Sequence, residues 1–298
     1  MKAFLVLAAL AASSSAASAA TQFSSSLRDI SGSAFGTTVS TTTDQTGRRT
    51  TANNPFVASA RYSDAAAPKD VWQAQNVGRN GVAGITTDFA RSGNGSAFFS
   101  GVDGNSKADL EIRFSQAIAL SSLTSMSYDM YRDASSTAPA HLTNSLRLMV
   151  GNAAGVFTNT YLIFEPVYNG FPVATPVAEN TWYTFNITGA STVWANNGNL
   201  SEPAGTAACN ACYAPLSAWQ ASNPNLTIIG LSTGIGSGFS GTYKGAVDNI
   251  SMTAGGITTT TNFEVVGVPE PESWAMMIGG FAFIGAAARR RTTKVVFA

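Results

Sequence analysis

The stretch "ADLEIRF", residues 108–114, decides how this chain folds. Leu110, Ile112 and Phe114 alternate with Asp109, Glu111 and Arg113, so apolar side chains recur at every second residue. Successive side chains of a strand point to opposite faces of a sheet, whereas a helical face repeats every 3.6 residues. The stretch therefore predicts a strand with one face on a core and the other polar.

The same period runs through "TSMSYDMYR" (124–132), "SLRLMV" (145–150), "TYLIFEP" (160–166), "TWYTFNI" (181–187), "LTIIGLST" (226–233) and "GAVDNISM" (245–252). Strand-like runs at 83–89 and 96–100 bring the count to about nine. Clusters such as "SGNGS" (92–96) and "VDGNSK" (102–107) separate them, because Gly and Asn supply turn conformations. One helix is expected in "PLSAWQASNPN" (215–225), opened by Pro215 and stopped before Pro224. Many even strands with almost no helix predict an all-β fold, a jelly-roll β-sandwich over residues 21–262. The Ser-, Thr- and Asn-rich stretch before residue 80 reads as edge strands and loops. "AGGITTTTNFEVVG" (254–267) reads as a last strand or as the start of a linker.

Composition narrows the function. Only 11% of the 298 residues are charged, which argues against helical bundles built on Glu, Lys and Arg. Residues 21–267 carry 12 Lys and Arg against 15 Asp and Glu, with the bases scattered. Phosphate neutralisation needs clustered bases, so nucleic acid is excluded as a partner.

The two ends read as addresses. Lys2, the apolar run Ala3–Ala12 and the small residues of "SSSAASAA" define a secretory signal peptide over residues 1–20. Trp274–Ala288 is uncharged for 15 residues and is followed by Arg289, Arg290 and Arg291. As a helix it spans about 22 Å, short of a hydrocarbon core of about 30 Å, which makes it a short transmembrane helix. The arginines predict a cytoplasmic C-terminus and can snorkel to the interface. Residues 263–272 form a linker, and 273–298 the helix and basic tail. Pro269 and Pro271 keep the linker extended and accessible.

Pro269-Glu270-Pro271, followed by Trp274-Ala275, a Gly-rich apolar run and Arg289-Arg290-Arg291, resembles the PEP-CTERM sorting signal in its PEPxxWA variant. The resemblance implies a Gram-negative exported protein, anchored in the inner membrane during transit and handled by an exosortase-type membrane protease-transpeptidase. It also implies a final place in the cell envelope or exopolysaccharide matrix. Seven residues, Thr292–Ala298, follow the arginines, somewhat more than is usual for such signals. More loosely, "FEPVYNG", "GSGFSG" and "GAVDNISM" are similar to exported jelly-roll domains of the lectin-like, carbohydrate-binding type, over residues 80–253. That similarity implies a cell-surface polysaccharide as partner.

Four sets of residues are candidates for chemistry. Asp103, Asn105 and Asp109 gather oxygen ligands around a glycine turn, as a structural calcium requires, and an Asx-rich hairpin turn explains them equally well. The jelly-roll resemblance adds Asp248 to that calcium set. Sugars present apolar faces, so Trp194, in the Asn-rich "STVWANNGN", and Trp72 are candidate glycan platforms, with a core role as the alternative for each. Trp182 alternates within a strand and reads as core. Cys209 and Cys212 lack the further ligands for zinc, the βαβ context of a redox motif and the histidine of a haem site, which leaves a local disulfide. Glu111 and Glu165 are the only acids inside strands of suitable length, and His141 has no Gly-x-Ser-x-Gly partner. No catalytic residue is assigned, and the acids read as a solvated sheet face. The expectation is a non-catalytic glycan binder, with a structural or adhesive matrix protein and a polysaccharide-active hydrolase as alternatives.

Overall fold

The computed structural model describes residues 69–196, 199–203, 213–236 and 238–264, together with the backbone of four two-residue strands at Thr21–Gln22, Ser24–Ser25, Thr42–Thr43 and Arg49–Thr50. The chain divides into two units, Met1–Glu264 and Val265–Ala298, and everything described lies in the first. The expected signal peptide, Pro269-Glu270-Pro271, Trp274, Arg289 to Arg291 and the pair Cys209/Cys212 lie outside the described residues.

The longer elements are β1 (Val71–Gly78), β2 (Val82–Thr86), β3 (Ser96–Gly101), β4 (Lys107–Ala119), β5 (Leu123–Arg132), β6 (Ser145–Gly151), β7 (Phe157–Phe164), β8 (Trp182–Thr188), β9 (Thr192–Ala195), β10 (Tyr213–Pro215), α1 (Leu216–Ser222), β11 (Thr227–Ile235), β12 (Tyr243–Ala254) and β13 (Ile257–Thr261). They form an all-β sandwich of two antiparallel sheets. In the first, β12 is central. It pairs with β5, which pairs with β8, and on its other side with β3 and then β13. The second runs β10-β9-β7-β6-β11-β4-β1. The N-terminal strands add by parallel pairing, Thr21–Gln22 to β13 and Ser24–Ser25 to β1.

The period-two pattern puts the core between the sheets. Leu110 and Ile112 of β4, Leu146 and Leu148 of β6, and Met126, Tyr128 and Met130 of β5 are all buried. Tyr128 and Phe185 of the first sheet meet Phe164 of the second, with ring centroids 6.1 and 6.0 Å from it. Each such ring removed from water contributes about 1.5–3 kcal/mol. The Tyr128 hydroxyl donates to the Asn144 carbonyl (3.1 Å), so its burial leaves no polar atom stranded.

The expected helix is present as α1, with Pro215 as its N-cap residue and Asn223 ending it before Pro224. It buries Leu216 and Trp219, and the Trp219 indole donates to the Val193 carbonyl (3.2 Å), fastening the helix to β9. The stretch at 254–267 resolves in favour of a strand, β13, up to Thr261.

One expectation is corrected. Asp109 and Glu111 are only 1% exposed, so the polar face of β4 is not solvated. It faces away from the core but carries a second, charged layer.

Candidate functional site

The charged layer lies on the outer face of the second sheet. Strand register aligns one row across it: Gln73, Glu111, Ser232, Arg147, Ile163, Trp194 and Tyr213, one residue from each of seven strands. A neighbouring row runs Gln75, Asp109, Gly234, Ser145. Loop residues such as Thr143 and Phe239 wall this face into a cavity of about 350 Å³. That volume lies within the size range of small-ligand sites.

The cavity floor is an ion pair. Arg147 Nη1 lies 2.7 Å from Asp109 Oδ1, and Arg147 Nε donates to Ser145 Oγ (2.7 Å). Burial works against the Arg147 charge, but Asp109, with Tyr161 and Glu111 beside it, outweighs burial and raises the guanidinium pKa. The other oxygen of Asp109 accepts from Asn76 Nδ2 (2.7 Å). Asn76 has a left-handed φ of 50° within a register shift of β1, a conformation that Asn tolerates and other side chains avoid. The bulge turns its side chain onto the outer face. Next to the pair, the Tyr161 hydroxyl donates to Glu111 Oε1 (2.9 Å).

Trp194 supplies the apolar wall. It stands on strand β9 rather than in a loop as expected, because Val193 and Ala195 face the core on either side of it. Its ring is half-buried and packs against the cluster of Met149, Tyr161, Ile163 and Ile229. The indole N–H donates to Glu165 Oε2 (2.9 Å), which fixes the orientation of the ring. Burial pushes the Glu165 carboxyl up, against the Trp194 hydrogen bond and the charges of Arg147 and His141.

Other predicted residues fall elsewhere. Trp72 is fully buried between the sheets, donating to Thr261 Oγ1 (2.8 Å) and packed on Phe263, so it offers no face to a glycan. Trp182, expected in the core, is half-buried on the outer face of the first sheet, beside Tyr131 and beneath Arg91.

The four calcium candidates do not converge. Asp103 accepts from the backbone N–H groups of Asn105 (2.8 Å) and Ser106 (3.1 Å), which is the Asx turn. Asp109 is held by Arg147 and Asn76 in the second sheet. Asp248 lies in the first, accepting from Phe263 N (2.9 Å) and Ser92 N (3.3 Å). Among the described residues no group of three or more His, Cys, Asp and Glu could hold a metal.

Arg147, Asn76, Tyr161 and Gly234 were not singled out from the sequence. Gly234 directly follows the strand-like run at 226–233, and a glycine at a strand can mark close backbone approach. A Cβ there would stand 2.7 Å from Asp109 Oδ1 and 2.1 Å from the Ala108 carbonyl.

The fold and site together define a β-sandwich with an open polar and aromatic pocket on the outer face of one sheet. No family model and no curated protein matches the chain. Among solved structures, it is similar to a family 11 carbohydrate-binding module from Clostridium thermocellum in complex with a β-1,3-1,4-mixed-linked tetrasaccharide, at 15% identity and a TM-score of 0.37, over 62% of this chain and 89% of that one. It is also similar to the cellulose induced protein Cip1, at 12% identity and a TM-score of 0.37, over 61% of this chain and 90% of that one.

Proposed function

We propose that the jelly-roll sandwich is a non-catalytic glycan-binding domain and that the Trp194 pocket is its site. One observation carries this reading: a half-buried indole, fixed by Glu165, forms one wall of a cavity whose floor is the Arg147–Asp109–Asn76 network. A sugar needs both parts. Its C–H face stacks on an aromatic ring, and its hydroxyls exchange hydrogen bonds with charged and amide groups. The acids of this face are each engaged by a neighbouring donor, which fixes them as acceptors for sugar hydroxyls. Asp109 is held by Arg147, Glu111 by Tyr161 and Glu165 by Trp194. With the sequence features of the two ends, the domain belongs to an exported protein, sorted by an exosortase-type enzyme through Pro269-Glu270-Pro271, that contacts polysaccharide in the envelope or matrix.

The test is calorimetric titration of the purified mature protein against soluble polysaccharides, with Trp194→Ala and Glu165→Gln variants. A glycan binder loses about tenfold or more in affinity with Trp194→Ala while its melting curve stays cooperative. Reducing ends released by the wild type and not by Glu165→Gln would replace this reading with a hydrolase. No affinity for any polysaccharide and no release would leave a matrix protein without a sugar site.

A further inference from the structure

Beyond the pocket mouth the row of side chains continues to the edge of the sheet. Tyr213, on the edge strand β10, is the register partner of Trp194, and their ring centroids are 6.1 Å apart. Tyr168 follows, with its ring 4.4 Å from Tyr213 and the two hydroxyls 3.1 Å apart. Neither tyrosine lines the cavity. They are 44% and 46% exposed, among the most exposed large hydrophobic side chains of the described residues.

The pair is also firmly held. Tyr168 belongs to a single 3-10 turn, Pro166–Tyr168, directly after β7. Asn169 fastens that turn to β9, donating from Nδ2 to the carbonyls of Glu165 and Thr192 (2.9 Å each) and accepting the Thr192 N–H at Oδ1 (2.9 Å). A bridged turn that presents two unburied rings beside the pocket tryptophan is a preorganised platform, and rigid aromatic contact surfaces lose little entropy on binding.

We propose that Tyr168 and Tyr213 form an outer subsite that takes the next units of a β-linked glucan chain leaving the Trp194 pocket. The inference rests on the glycan-binding reading of that pocket. From Arg147 to Tyr213 the row crosses three inter-strand gaps, about 14 Å, which exceeds the length of one sugar ring. Strand register lines the row up across the sheet, with successive rings tilted by 42° and 49°. β-1,4-linked glucans suit such a track: their equatorial substituents leave flat C–H faces and the linkage keeps the chain extended, whereas a β-1,3 linkage curves the chain. α-Linked chains coil away from it. The site therefore selects a run of consecutive sugars within a chain, and a monosaccharide fills only its inner end.

The experiment measures affinity of the full mature protein for β-1,4- and β-1,3-linked gluco-oligosaccharides of two to six units. The variants are Tyr213→Ala, Tyr168→Ala and Tyr168→Phe, with thermal melts as the folding control. Wild-type affinity is expected to rise with chain length by about three- to tenfold for the outer platform. Both alanine variants should lose that gain while keeping disaccharide affinity, and Tyr168→Phe, which retains the ring, should keep most of it. Length-independent wild-type affinity, or alanine variants that retain the gain, would overturn the outer subsite and leave the pocket reading intact. Failure of the wild type to bind either series while it binds another polysaccharide would overturn the β-glucan subsite and leave the pocket reading intact, and failure to bind any polysaccharide would overturn both.

Discussion

Arg147 reaches Asp109 across an intervening strand. The two sit on β6 and β4, β11 runs between them, and their charged atoms are nonetheless 2.7 Å apart. The reach is possible because β11 shows only small residues on that face, Gly230, Ser232 and Gly234. A long, pre-shaped guanidinium spans the gap and finds a carboxylate already held by Asn76.

This arrangement predicts asymmetric mutational costs. Arg147→Ala leaves Asp109 buried without its cation and should cost about 3–5 kcal/mol, whereas removing both charges together with Asp109→Asn should cost clearly less than the sum. Gly234→Ala should destabilise by several kcal/mol even though it adds one methyl group, since its Cβ meets the Asp109 carboxylate and the Ala108 carbonyl. Urea denaturation of the single and double variants checks both expectations.

The two candidate tryptophans separate fold from function. Trp72→Phe should lower stability by about 2–4 kcal/mol, by opening a cavity and stranding its partner Thr261 Oγ1, and leave glycan affinity unchanged. Trp194→Ala should do the reverse, with a large loss of affinity and a smaller loss of stability from a half-buried site. Parallel melting and titration curves for the two variants decide it.

These contrasts show how far the sequence could be read. Alternation at 108–114, 124–132 and 145–150 located the core faces, since a one-sided core imposes period two on every strand that touches it. It could not show that the polar face of β4 is covered, because the covering cation comes from two strands away. Trp194 read as a loop residue because its strand has four residues and runs straight into "NNGN". β1 reads from the sequence only as part of an edge-strand and loop stretch, because the inward partner of Trp72 is a mere Ala74, between glutamines. Asn76 and Asn249 sit at positive φ beside register shifts, and each turns its amide against strict alternation toward a buried acid, Asp109 and Asp129. A bulge of this kind leaves no mark on hydrophobic period.

Stability should depend on pH through Asp248 and Glu165. Burial pushes the Asp248 carboxyl from its ordinary 3.8 up to about 6, and raises Glu165 as well. An acid whose folded pKa is raised binds more protons folded than unfolded within that window, so its contribution to stability is full below the unfolded pKa. It is lost as pH rises through the folded value. For Asp248 the loss falls between about pH 4 and 6 and amounts to at most about 3 kcal/mol at 1.36 kcal/mol per unit. Asp248→Asn, whatever its offset in absolute stability, should flatten the curve in that window. Denaturation midpoints measured at half-unit steps from pH 3.5 to 7 test it.

Asp248 also bears on calcium. A hard cation needs six to eight oxygens converging on one point, with few competing donors. Here the carboxylates are spoken for by nitrogen donors instead. Asp248 accepts from the N–H groups of Phe263 and Ser92, and Asp129 from Arg91 Nε (3.0 Å) and Asn249 Nδ2 (2.8 Å). This knot ties the loop at residues 88–95 to β5, β12 and the segment after β13, which is the work a structural ion would otherwise do. Its strength should be independent of metal. The melting temperature of the mature protein is expected to be the same in millimolar calcium and in excess chelator, whereas Asn249→Ala should lower it by freeing Ser92 and leaving Asp129 short of a donor. A chelator-induced drop in melting temperature would show that metal, rather than this hydrogen-bonded knot, closes that end of the sandwich.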